Sequence, residues 1–287
     1  MPRKSFPEIL AKEKPLVMPG AYDGLSAKLC DQAGFSSIFV GGFSVVGGRY
    51  GVPDIGLRSM SDIAGAVRDI VSVTDLPVFV DIDDGYGDVK NAVNTVHIYE
   101  NIGAAAVMIE DQAWPKRCGH LAGKSVVPME QAVAKVRAVC AERANPDTII
   151  SARTDARAVN GLDDALRRAE KFLEAGADWI FVEAPETVEE LEIVGRTFKD
   201  VPLLANPLEG GKTPILSPQD LGELGFDIIP YGLSLILHVT KTMRDVLADM
   251  KSGELKLFNK GASFDEYKKV IGLDDWTRIE DTYAPKS

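Results

Sequence analysis

The amino-acid sequence predicts an α/β protein of the (β/α)8 TIM-barrel class, on three observations. Apolar, β-rich runs recur along the chain at intervals of about 20 to 40 residues, with helix-period segments between them. The runs are near-continuous in apolar residues rather than alternating, the pattern of strands covered on both faces. Eight β-then-α units in succession suit a closed barrel better than a doubly wound sheet.

Each strand can be read in order with the residue that ends it. The first, 15–19, leads through Pro19-Gly20-Ala21-Tyr22 to Asp23. The second, 37–40, follows the helix-ending Ala33-Gly34-Phe35 and runs into Gly41-Gly42. The third, 78–83, closes on Asp81 and Asp83. The fourth, 105–111, is announced by Ile102-Gly103-Ala104 and ends in Glu110-Asp111. The fifth, 148–154, carries Arg153 and leads to Asp155. The sixth, 179–184, follows Ala175-Gly176-Ala177 and ends near Glu183. The seventh, 202–206, closes on Asn206, and the eighth, 227–231, follows Leu224-Gly225-Phe226 and closes on Tyr231. In a barrel these carboxyl ends converge on one mouth, where active sites are built. The alternative for part of the set is a ring of ion pairs tying the rim together.

Composition bounds the function. The chain has 287 residues, 45% of them hydrophobic, enough for one large core or two small ones. It reads as a single domain over 1–287, with the barrel at about 15–245 and a helical extension at about 246–287. The apolar runs are too short to span a bilayer. The amino terminus mixes Arg3, Lys4, Lys12 and Lys14 with Glu8 and Glu13, unlike a secretory leader, so the cytoplasm is the expected compartment. Three widely spaced cysteines, Cys30, Cys118 and Cys140, make neither a disulfide framework nor a Cys-x-x-Cys metal site. A net charge of −11 argues against nucleic acid or an anionic membrane as partner. An anionic substrate would need local positive charge to overcome that field.

Such charge is found in Lys116-Arg117-Cys118-Gly119-His120, just beyond the acid-tipped fourth strand. A thiol beside Lys, Arg and His is where a cysteine pKa can be depressed and its proton put to use. The plain alternative is a solvated loop holding one small buried residue. In Asp81-Ile82-Asp83-Asp84-Gly85-Tyr86-Gly87, the period of two puts Asp81 and Asp83 on one face. Two carboxylates so placed repel unless a cation or shared proton intervenes. With Glu110 they form a hard-oxygen set suited to Mg2+ or Mn2+; capping aspartates before a Gly-rich turn are the alternative.

Arg153, borne on a buried strand, suits bidentate capture of a carboxylate or enolate, and an internal salt bridge with Glu183 or Asp155 can coexist with that role. The run Asn206-Pro207-Leu208-Glu209-Gly210-Gly211-Lys212 lacks the spacing of a phosphate-binding loop. His97 and His238 fall in helical patterns and read as structural. With only three histidines, a His-rich zinc site is disfavoured, and no Gly-x-Ser-x-Gly elbow marks a serine hydrolase.

Taken together, these motifs resemble the isocitrate lyase/phosphoenolpyruvate mutase superfamily. The match runs from Pro19-Gly20-Ala21-Tyr22-Asp23 to about Tyr231 and includes Gly51-Val52-Pro53-Asp54-Ile55-Gly56, Glu110-Asp111-Gln112, Arg153-Thr154-Asp155-Ala156-Arg157 and Glu209-Gly210-Gly211-Lys212-Thr213-Pro214. The Lys-Arg-Cys-Gly-His loop is similar to that of the short branch that makes or breaks carbon–carbon bonds.

The resemblance implies a barrel whose eighth helix is exchanged with a neighbouring subunit, in a homotetramer. It implies that Asp81 and Asp83 hold Mg2+ (Mn2+ being possible), largely through water, with Asp54 and Glu110 close by. Arg153 would bind the 2-oxo-acid part of a small dicarboxylate, and Cys118 would be the general acid on a closing loop. Gly119 and His120 would meet the second carboxylate. Glu183 would act beside them, and Tyr22, Gly41, Gly42, Phe43, Lys116, Asn206, Leu233 and Ser234 would line the pocket.

The implied activity is Mg2+-dependent cleavage of a substituted malate or (methyl)isocitrate-type acid to a 2-oxo acid. The alternatives are hydrolysis of oxaloacetate to oxalate and acetate, C–P chemistry, which leaves Cys118 without a clear role, and a non-catalytic barrel. Four positions depart from the family pattern. Gly41 stands for a Ser or Thr, Asp84 adds a third acid beside the metal, Pro207 follows Asn206, and Gly232 stands for a Pro.

Overall fold

The computed structural model describes residues 5–285; Arg3 and Lys4 of the charged amino terminus lie outside them. Eight strands appear where the apolar runs place them: β1 Leu16–Pro19, β2 Ile38–Val40, β3 Val78–Asp81, β4 Ala106–Glu110, β5 Ile149–Thr154, β6 Trp179–Val182, β7 Leu203–Leu204 and β8 Ile228–Tyr231. All pair in parallel in the order β1-β8-β7-β6-β5-β4-β3-β2. A parallel bridge between Gly20 and Phe39 joins β1 to β2 and brings the sheet round to a nearly closed barrel. β3 stops at Asp81, two residues short of the expected end, because Asp83 takes a left-handed backbone (φ 50°) that no strand continues.

The period of two divides the apolar residues between two cores. Side chains such as Val78, Val80, Val107 and Ile180 point outward onto the helices. Leu16, Met18, Phe39, Phe79, Met108, Trp179, Phe181 and Leu204 fill the barrel interior. The Phe79 and Trp179 rings meet edge-on with centroids 5.4 Å apart. Below them the short helix Phe6–Leu10 closes the amino-terminal end of the barrel, placing Phe6 5.1 Å from Trp179. The charge-based reading of this segment passed over the plug, although Phe6, Ile9 and Leu10 have the i, i+3, i+4 spacing of a buried helix face. One inward step above this packed interior, the same faces carry Asp81, Glu110, Arg153, Glu183 and Asn206. The alternation that builds the core thus also builds the mouth.

After β8, helix Ser234–Ser252 runs unbroken past residue 245, and helices Phe264–Val270 and Leu273–Tyr283 follow. This arm leaves large apolar side chains uncovered, among them Leu247 (63% exposed), Phe264 (78%) and Trp276 (68%). No helix among the described residues is long and apolar enough to cross a membrane.

Candidate active site

The mouth of the barrel holds a cleft bordered by Asp54, Asp81, Glu110, Cys118, Gly119, His120, Arg153, Glu183 and Asn206, with Phe39, Phe43 and Leu233. Arg153 is its hub. Its Nε donates to Asp155 Oδ2 at 2.9 Å and its Nη2 to Asp155 Oδ1 at 3.0 Å, a bidentate pair. Nη1 lies 3.2 Å from Glu183 Oε2, and Nε lies 3.4 Å from Glu110 Oε2. Burial opposes ionisation of Asp155, yet Arg153 and Lys124 hold its carboxyl down at about 2. Glu183 is likewise held below the usual range against its burial by Arg153 and His120. Glu110 goes the other way: burial pushes it well up, with Arg153 offsetting only part.

On the β3 side, the Lys116 ammonium sits 2.7 Å from Asp54 Oδ2 and 2.5 Å from Asp83 Oδ1. Its burial disfavours charge, but Asp83 and Asp54 more than compensate, so it stays a cation. Lys116 is therefore committed to the carboxylate cluster, where the sequence reading had it binding substrate. Burial and neighbouring Asp83 raise Asp81 to about 6.

This oxygen set fits a hard divalent cation: it carries several acids, and Glu110 Oε1 is buried with no hydrogen-bond partner. Among the described residues no three of His, Cys, Asp or Glu converge tightly enough to clasp an ion directly.

The loop after β4 covers Arg153. A Cβ at Gly119 would overlap Arg153 Nη2 and stand 2.5 Å from Glu183 Cδ, so only glycine lets the loop come this close. His120 accepts a hydrogen bond at Nδ1 from the Lys212 amide (3.1 Å), which leaves Nε2 as the N–H facing Glu183 Oε1 at 3.2 Å. The Gly210-Gly211 turn thus serves to seat His120 and cradles no phosphate. Gln112 pins the loop from below, accepting from the Arg117 amide and donating to the Arg117 carbonyl.

Several expectations change. Cys118 was expected to have a depressed pKa, but burial pushes its thiol up to about 11. The reason is tertiary, since the cations beside it in sequence are spent elsewhere: Lys116 on Asp54 and Asp83, and Arg117 toward the Ala122 carbonyl. Asp84 is no third acid beside a metal site; it turns outward to Lys135 at 3.0 Å. Tyr22 lies outside the cleft, beside Gly48 and Ile236, because the chain has already turned into the helix that Asp23 caps. Ser234 also falls outside the lining as the first residue of its helix, whereas Leu233 remains within it.

Asp111 accepts from Thr154 Oγ1, from the Asp155 amide and from Arg168, a structural knot behind the site. His97 contacts the Glu142 carbonyl and His238 is exposed, as helix-face residues. Lys124 is the residue the sequence reading missed: its side chain is 1% exposed and its Nζ reaches Asp155 Oδ1 at 2.6 Å and the Gly119 carbonyl. A lysine four residues beyond His120 offered no signal of that, because its partner comes from another strand.

Fold and site define a barrel whose mouth pairs an acid cluster with a buried arginine under a cysteine-bearing loop. Residues 6–251 match the model of the phosphoenolpyruvate phosphomutase family, and the chain belongs to that family. It is 37% identical over 279 residues to 2,3-dimethylmalate lyase of Eubacterium barkeri, covering 96% of each chain. It is 40% identical over 246 residues to 2-methylisocitrate lyase of Bacillus subtilis, covering 86% of this chain and 80% of that one. The structure of an oxaloacetate acetylhydrolase in complex with the inhibitor 3,3-difluorooxalacetate superposes with a TM-score of 0.92 at 27% identity, covering 97% of this chain and 96% of that one.

Proposed function

We propose that this protein is a divalent-cation-dependent carbon–carbon lyase that cleaves a substituted 2-hydroxydicarboxylate to a 2-oxo acid and a carboxylate. The observation that carries the reading is the loop bearing Cys118, which packs at Gly119 directly against the Arg153–Glu183 pair and whose thiol burial pushes up to about 11. Arg153 binds and orients the 2-hydroxy-acid end of the substrate. Glu183, held ionised, accepts the hydroxyl proton. The C2–C3 bond then breaks, and its electron pair passes to the second fragment as a carboxylate-stabilised enolate. Cys118 gives its proton to that carbon. His120 Nε2–H and the backbone at Gly119 meet the second carboxylate, and the closed loop keeps water from the enolate. Bound among Asp54, Asp81, Asp83 and Glu110, Mg2+ (or Mn2+ in its place) would supply fixed positive charge against the 2-oxo-acid oxygens.

Incubation with Mg2+ and 2-alkylmalates, methylisocitrate or oxaloacetate, followed by assay of 2-oxo acid and of oxalate, tests the reading. Formation of a 2-oxo acid that stops with EDTA supports it, and oxalate as the sole product overturns it. The second reading, hydrolysis of oxaloacetate, is favoured by the similarity to the oxaloacetate acetylhydrolase structure.

We also read the uncovered arm after β8 as the surface that meets further copies of this chain, with the eighth helix exchanged in a homotetramer. Light scattering on the purified protein tests this. Three free cysteines accord with a cytoplasmic setting.

A further inference from the structure

Beyond Asp81 the chain leaves β3 through a segment with three left-handed residues, Asp83 (φ 50°), Gly85 (φ 82°) and Tyr86 (φ 59°). For a residue with a side chain, such as Asp or Tyr, that backbone is unfavourable and persists only where neighbouring groups hold it. Here it sets the acids. The Asp83 amide donates to Asp81 Oδ1 at 3.1 Å, and Asp83 Oδ1 lies 2.5 Å from the Lys116 ammonium. Two carbonyls of the segment are held by adjoining elements: that of Asp83 accepts from the Glu110 amide (2.9 Å), and that of Gly85 accepts from Thr95 Oγ1 (3.2 Å).

The carbonyl between them, that of Asp84, is held from farther off. Lys135, on the helix Met129–Glu142, donates from Nζ to the Asp84 carbonyl at 2.9 Å and to Asp84 Oδ2 at 3.0 Å. The other carboxylate oxygen, Asp84 Oδ1, accepts from the Tyr86 amide at 2.9 Å. One ammonium thus fixes both the backbone and the side chain of the residue that joins Asp83 to Gly85 and Tyr86. The two side chains are only 11% (Lys135) and 6% (Asp84) exposed, so loss of either partner leaves a buried charge unpaired. Both of these hydrogen bonds end on Asp84, and Lys135 acts on Asp83 through the segment.

We infer that Lys135 is a positioning residue for the divalent cation: by clamping Asp84 it holds Asp83 in the left-handed backbone that sets its carboxylate beside Asp81. The inference rests on the reading of Asp54, Asp81, Asp83 and Glu110 as the acids that hold the cation, and it adds to them a residue from the outer layer of helices. Groups that orient ligands from behind govern metal affinity without touching the metal. The clamp also accounts for the direction of Asp84, which Lys135 neutralises and turns away from the other acids.

The test titrates the chelator-treated protein with Mn2+ alone, reading free Mn2+ by electron paramagnetic resonance, and measures hydrogen exchange across residues 83–86 before metal is added. Lys135→Met should weaken Mn2+ binding about 10- to 100-fold, the usual effect of losing a group that orients a ligand. It should also speed exchange across the segment. Lys135→Arg, which keeps the charge and the donors, should restore both. Lys135→Met combined with Asp84→Ala serves if circular dichroism shows the single variant misfolded. Removing the whole pair spares the fold but still frees the segment, so the same losses are expected. Native-like Mn2+ affinity in a folded variant overturns the role of Lys135 while leaving the cation reading intact. Failure of the native protein to bind Mn2+ overturns the cation reading and the inference with it.

Discussion

Lys124 Nζ lies 2.6 Å from Asp155 Oδ1 and also reaches the Gly119 carbonyl, so one buried ammonium ties the Cys118 loop to the carboxylate that orients Arg153. The cysteine-bearing loop and Arg153 are thereby set in one frame. Lys124 touches neither the thiol nor the guanidinium and acts through Asp155 and the loop backbone.

Lys124→Met should therefore lower kcat more than it raises KM, by roughly 10- to 100-fold, as expected when a reacting group loses its alignment. It also leaves Asp155 with one cation fewer, and breaking such a buried pair costs about 3–5 kcal/mol. Steady-state kinetics and thermal unfolding, measured side by side, check both effects. Restoration of kcat by Lys124→Arg would mark the role as positional.

Cys118→Ser should lose roughly two to four orders of magnitude in turnover, the contribution of a positioned proton donor. Because burial lifts the thiol to about 11, only about one molecule in a thousand carries the thiolate at pH 8. Alkylation of Cys118 by iodoacetamide at that pH, followed by peptide mass mapping, should be about 100-fold slower than that of a free thiol. Rapid labelling would contradict a half-buried thiol whose pKa is pushed up.

Gly119→Ala should abolish closure of the loop, since the added methyl group meets Arg153 and Glu183. Turnover should fall by at least about 100-fold, as for a displaced catalytic group. Retention of near-native turnover would show that the loop does not seat over Arg153 during the reaction.

Asp155 makes stability depend on pH. Its folded pKa, about 2, lies below the value of about 3.9 expected for the unfolded chain. Its stabilisation is therefore fully present above about pH 4 and is lost as pH falls toward 2. By linkage the difference is worth about 2.6 kcal/mol. Asp155→Asn should flatten the acid limb of the stability curve across that window, which urea unfolding at stepped pH would reveal.

The strands and the tips they carry were legible because a parallel barrel writes both into one pattern: apolar runs set the strands, and the next inward position after each run carries the functional group. Glu110, Arg153, Glu183 and Asn206 could be named on that basis. Local patterns failed where a side chain looks for its partner across the fold. Asp84 sits beside Asp83 in sequence but turns to Lys135, and Tyr22 leaves the mouth because Asp23 has begun a helix.

By itself the sequence determined the barrel, the acid-rich mouth and the thiol-bearing loop, because periodicity and strand-end chemistry are local properties of the chain. Only the tertiary structure decided what those groups are at neutral pH and what they face. The Cys118 thiol is pushed up to about 11 because burial outweighs cations that Asp54, Asp83 and the Ala122 carbonyl have already claimed. Gly41 and Gly232, far apart in sequence, share the ring of Phe39 because β2 and β8 flank β1 when the sheet closes on itself.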